Sequence, residues 1–131
     1  MAKIGICSVC GASGIIEEHH IIKRSQSKAL KNCKLNLIDL CIDCHKNGKH
    51  GVHGKNGHEL DIKLKKELQE KLINTISEND ILDNETVFEG IGRILEIPAE
   101  EVTRACKTLH SEGGIYYMED IVRALQGGRL Y

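Results

Sequence analysis

Cys7-Ser8-Val9-Cys10 and Cys41-Ile42-Asp43-Cys44 are the two stretches on which the fold turns. A CxxC turn brings two sulfurs within reach of one ion, and two such turns close a tetrahedral zinc site of four thiolates. A closed four-thiolate site leaves no coordination position open, so Cys7, Cys10, Cys41 and Cys44 are assigned to a structural Zn²⁺ that serves folding and not catalysis. The pairs are 30 residues apart, longer than a simple finger needs, so the interval must carry structure of its own. Cys33 and Cys106 stand outside the pairing and read as small apolar or surface residues.

Working outward from the knuckles, 15–22 (Ile-Ile-Glu-Glu-His-His-Ile-Ile) has apolar ends and β character and predicts a strand. The polar, Lys-rich 23–34 reads as a loop holding a short helix, and 35–40 as a second short strand with Asn36 near its start. From Cys41 to about His50 the knuckle turns helical and runs into a glycine-rich stretch, Gly48, Gly51, Gly54 and Gly57. A helix follows over 61–76, with Ile62, Leu64, Leu68, Leu72 and Ile76 mostly on one stripe. Beyond the polar linker 77–84, helical spacing predicts short helices over about 85–95, 98–110 and 118–126, the second opened by Pro98 and closed before Gly113-Gly114. The fold class is therefore α+β, divided into 1–76 and a small all-α segment 77–131 whose first two helices have helix-turn-helix proportions.

The chain has 131 residues, no Trp, one Phe and three Tyr, so its core rests on Ile, Leu and Val. No run approaches the ~18 apolar residues that span a membrane, and Met1–Ile6 does not read as a leader; a cytoplasmic protein with no membrane partner is expected. In a reducing compartment paired cysteines serve metals more often than disulfides. The net charge of −1 hides an asymmetry: 1–75 holds 13 Lys/Arg against 8 Asp/Glu (+5), and 76–131 holds 5 against 11 (−6). The basic part suits a polyanion such as DNA. The acidic part does not; packing, self-association through its helices or a protein partner suits it better.

Five of the seven histidines fall between positions 19 and 53: His19, His20, His45, His50 and His53. Adjacent residues in a strand point to opposite sides, so His19 and His20 serve different partners. Such a concentration points to metal binding or proton transfer, not to scattered core histidines.

These residues carry a family resemblance. Glu18-His19-His20-Ile21-Ile22-Lys23-Arg24-Ser25, followed by Asn36-Leu37-Ile38-Asp39-Leu40-Cys41-Ile42-Asp43-Cys44-His45, resembles the HNH nuclease motif in its zinc-knuckle form, with His20, Asn36 and His45 as the eponymous residues. The resemblance covers about residues 7–53. More loosely, 51–58 and the tail 125–131 resemble small phage-encoded HNH proteins.

The resemblance implies a ββα-metal finger that cuts DNA phosphodiester bonds, encoded by a phage or mobile element. In it His20 would be the general base and Asn36 would brace the loop that holds it. His19 and His45 would ligate one catalytic divalent ion: Mg²⁺, Mn²⁺, Ni²⁺ or Zn²⁺. The usual third ligand sits one helical turn beyond His45, where this chain has Lys49, whose ammonium has no lone pair. His53 is favoured in its place, with His50 second. Lys23, Arg24 and Lys55 are candidate phosphate contacts, in a Lys-rich setting that includes Lys28, Lys31, Lys34, Lys46 and Lys49. The rival reading is a non-catalytic zinc-knuckle protein that binds DNA or assists a DNA-packaging machine.

Overall fold

The computed structural model describes residues 2–131, without the side chains of Ala2 and Asn47. Three antiparallel strands, β1 (Ala2–Ile6), β2 (Ser13–His20) and β3 (Leu37–Cys41), form one sheet in sequence order. β2 is central, pairing Ile4 with Ile15 on one side, and His19 with Ile38 and His20 with Leu37 on the other. The first CxxC turn closes the β1–β2 hairpin: the Cys7 amide donates to Ala12 C=O at 2.9 Å, and Gly11 takes the left-handed φ of +76° that the turn requires.

After β2 the chain loops through Ile21–Cys33, makes a 3₁₀ turn at Lys34–Asn36 and enters β3. Beyond β3 it winds into a short π-helical turn, Asp43–Asn47. The glycine-rich stretch then folds back over that turn. A Cβ on Gly51 would meet the carbonyls of Asp43 and Cys44, so only glycine permits this approach.

Four helices follow: α1 (His58–Ser77), α2 (Val87–Leu95), α3 (Ala99–Ala105) and α4 (Met118–Leu125). On α1 the stripe Leu64, Leu68, Leu72 and Ile76 is buried, one residue per turn. Ile62, expected on the same stripe, is only half-buried. A capping box opens α2: Thr86 Oγ1 accepts from the Glu89 amide while Glu89 Oε1 accepts from the Thr86 amide.

Helix boundaries differ from the pattern-based expectation in two places. α1 begins at His58, before 61, because Gly57 stands at its N-cap and no Ser, Thr, Asp or Asn marks the start. α3 stops at Ala105, well short of 110, so Lys107 lies beyond it. Gly113 and Gly114, both at positive φ (63° and 84°), form a tight turn of their own between Glu112 and Ile115.

The core is one cluster. It joins Ile21, Ile22, Leu30 and Cys33 to Leu68 and Leu72 of α1, Ile91 and Leu95 of α2, Val102 of α3, and Ile121, Val122 and Leu125 of α4. Polar ties follow the same path: Ser27 Oγ donates to Leu125 C=O at 2.6 Å, and Gln69 Oε1 accepts from the Tyr131 amide at 2.8 Å. Residues on either side of the expected 76/77 division thus share buried surface. Among the described residues no helix is long and apolar enough to cross a membrane.

Candidate metal centres

The two CxxC turns meet at the far end of the sheet. Cys7 and Cys10 come from the β1–β2 hairpin; Cys41 ends β3 and Cys44 lies in the π-helical turn. Their four Sγ atoms lie within 4.8 Å of one another, and Cys10 Sγ is 3.6 Å from Cys41 Sγ. All six cysteines are free thiols. Burial disfavours a thiolate at Cys7, but backbone hydrogen bonds of Cys10, Cys41 and Val9 outweigh it and bring the thiol down to about 6. Cys44 goes the other way, pushed up by burial and by the neighbouring sulfurs. The neighbouring sulfurs thus raise Cys44, while backbone donors favour the thiolate at Cys7. This four-cysteine cluster can hold a metal such as zinc.

A second cluster lies beside the first. His19 of β2, His45 of the π-helical turn and His53 of the glycine-rich loop bring one ring nitrogen each within 4.8 Å of the others. Their ring centroids are 4.9 to 5.2 Å apart. His19 is buried, and its Nε2 has no hydrogen-bond partner. A buried nitrogen without a partner costs about 1–3 kcal/mol, so the donor set fits an ion that would take that lone pair. Burial, then the charges of His45 and His53, hold His19 down at about 4, so it is neutral at pH 7 and carries a lone pair. His53 is lowered too, chiefly by burial. Its approach is fixed by backbone: the His53 amide donates to His45 C=O and the Val52 amide to Cys44 C=O, both at 2.8 Å. His50 is exposed and stands outside this group, as does His58.

His20 leaves the opposite side of β2, and its Nε2 lies 3.0 Å from Lys31 C=O. A carbonyl only accepts, so Nε2 carries the proton and Nδ1 keeps the lone pair. Asn36, fully buried, holds the loop on which this contact depends. Its Oδ1 accepts from the Ile22 amide at 2.7 Å, and its Nδ2 donates to Ile22 C=O at 3.0 Å and Leu30 C=O at 3.1 Å. The carbonyl that fixes His20 is therefore the neighbour of one that Asn36 fixes. His19, His20, His45 and His53 line one hollow of about 580 Å³ with Glu18, Lys23, Arg24 and Ser25. Two of the three expected phosphate contacts, Lys23 and Arg24, stand on its rim; Lys55 is exposed and does not line it.

Sequence reasoning passed over Glu17. Its Oε1 is 3.2 Å from His45 Nδ1 and its Oε2 3.2 Å from Lys46 Nζ, contacts that lower the carboxyl below its usual range, His45 first and Lys46 second. The one available signal was strand parity, which puts Glu17 and His19 on the same face. Arg104 on α3, the second helix of the pair with helix-turn-helix proportions, is held by Glu101 at 2.6 Å.

Comparison of the chain with protein-family models, with curated proteins and with solved structures finds no match.

Proposed function

We propose that this chain is a metal-dependent endonuclease of the HNH type, with a ββα-metal centre that hydrolyses DNA phosphodiester bonds. The observation that carries the reading is the convergence of His19, His45 and His53 from three separate elements, beside a fourth imidazole, His20, that lines the same hollow. A structural zinc knuckle alone has no need of the second cluster.

In this reading His19, His45 and His53 hold one divalent ion. An ion bound there supplies Lewis acidity to the phosphate and the leaving oxygen. His20 removes the proton of the attacking water through Nδ1, because Nε2 is committed to Lys31 C=O. Asn36 keeps that carbonyl in place by fixing its neighbour. Lys23 and Arg24 on the rim draw in the phosphate backbone. Cys7, Cys10, Cys41 and Cys44 would hold Zn²⁺, which would tie the hairpin turn to the turn that presents His45.

A plasmid-nicking assay on zinc-loaded protein tests this, with Mg²⁺, Mn²⁺, Co²⁺, Ni²⁺ and Zn²⁺ added in turn. Relaxation of supercoiled DNA with at least one metal, lost in His20→Ala, is the expected result. Intact plasmid with every metal overturns the nuclease reading; DNA retention by that same protein in a gel shift would favour the non-catalytic DNA-binding alternative.

A further inference from the structure

We infer that Glu17 is a positioning residue for the histidine cluster: its carboxylate fixes the ring of His45 in the tautomer that presents Nε2 to a metal. The inference rests on the reading of His19, His45 and His53 as ligands. Among the described residues His45 alone of the three makes a side-chain hydrogen bond, the 3.2 Å contact from Nδ1 to Glu17 Oε1. An ionised carboxylate only accepts, so the proton sits on Nδ1 and the lone pair on Nε2. Without that acceptor the ring is free to place its proton on either nitrogen, and the tautomer protonated on Nε2 cannot ligate through that atom.

The setting makes the contact firm. The side chains of His45 and Glu17 are 14% and 24% exposed, so water competes weakly for the bond. Glu17 leaves β2 on the face of His19, two residues on, so one strand delivers both a ligand and the orienter of another ligand. Lys46 Nζ holds the second carboxylate oxygen at 3.2 Å and aims the first at His45. Glu17 is not among the residues that line the hollow, and its side chain reaches the site through His45. Carboxylate partners of metal-bound imidazoles carry ~10–100-fold of metal affinity.

The test uses the whole chain carrying one zinc per molecule, in the four-thiolate site, titrated calorimetrically with Co²⁺, which binds thiolates less tightly than Zn²⁺ and leaves the knuckle filled. Glu17→Ala should weaken Co²⁺ binding by ~10–100-fold. Lys46→Met, which removes only the other arm of the carboxylate, should stay closer to wild type than Glu17→Ala. Long-range ¹⁵N–¹H spectra of the wild type before Co²⁺ addition should show His45 protonated on Nδ1. Wild-type protein that binds no Co²⁺ overturns the parent reading of the cluster. Wild type that binds Co²⁺, with Glu17→Ala binding it equally, overturns only the role of Glu17. Should that variant lose its zinc and unfold, the wild-type spectrum decides alone: His45 protonated on Nε2 overturns the proposal.

Discussion

The backbone of His53 is hydrogen-bonded to that of His45, amide to carbonyl at 2.8 Å, one step along from the equivalent bond between Val52 and Cys44. Cys44 and His45 are consecutive, so one π-helical turn serves both clusters. Whatever anchors Cys44 also sets the ring of His45 and the strip of loop that carries His53.

A first expectation concerns that coupling. Cys44→Ser, or removal of zinc by a chelator, should abolish tight zinc binding and also weaken the second ion at His19, His45 and His53. A structural zinc contributes on the order of 10 kcal/mol of folding free energy in small domains, far more than the paired backbone bonds can replace. Elemental analysis gives the zinc content, and Co²⁺ titration reads the second ion. A variant that lacks zinc but keeps wild-type affinity for the second ion would show the clusters to be independent.

His20→Ala tests the general base apart from the ligands. Its Nε2 is held by Lys31 C=O and it stands outside the group of His19, His45 and His53, so its loss should leave metal affinity unchanged. Nicking should fall by ~10²–10⁴-fold. A variant that cuts at the wild-type rate rules His20 out as the base.

The elements nearest the site were the most legible in the sequence. CxxC spacing brought Cys7, Cys10, Cys41 and Cys44 together on paper, and the structure brings them together in space. Apolar periodicity located α1 and the three later helices, although α3 ends at Ala105, well short of the expected 110. β1 carries no such signal: Ile4 and Ile6 are exposed, and Gly5 lies against Ile16, so the strand exists by pairing with β2 and not by burying a face. The tie between Glu17 and His45 was hidden for a related reason. Its partners are 28 residues apart, and only the folded sheet makes them neighbours.

Asn36→Ala should destabilise the fold as well as the site. It strips partners from the Ile22 amide, the Ile22 carbonyl and the Leu30 carbonyl, in a region where Asn36 and Leu30 are fully buried. At about 1–3 kcal/mol per buried group left unpaired, the loss should reach roughly 3 kcal/mol. Urea denaturation of the zinc-loaded protein measures it. A loss below about 1 kcal/mol would mean that water or a neighbour takes over these groups.

The shared core implies that the acidic C-terminal helices stabilise the metal-binding half. Ser27 Oγ donates to Leu125 C=O and accepts from the Leu30 amide at 3.2 Å, which links α4 to the loop after β2. Ser27→Ala should cost about 1–3 kcal/mol, and the whole chain should unfold in one transition, read alike by far-ultraviolet circular dichroism and tyrosine fluorescence. Two separated transitions would assign 1–76 and 77–131 independent stability.

The third ligand is the most discriminating expectation, because two histidines compete for it. One helical turn beyond His45 stands Lys49, whose ammonium cannot donate a lone pair. The structure solves the problem with the loop. Gly51 passes against the carbonyls of Asp43 and Cys44, where any side chain would collide, and the chain doubles back until His53 pairs with His45. Both His50 and His53 are exposed, but His50 lies outside the cluster, whereas the His53 ring sits 5.2 Å from that of His19. His53→Ala should therefore lower Co²⁺ affinity and nicking together, while His50→Ala leaves both near wild type. Gly51→Ala should resemble His53→Ala, although it removes no ligand, because it pushes the loop off the turn. Wild-type affinity in His53→Ala with a dead His50→Ala would mean that the loop rearranges to bring the other histidine to the metal.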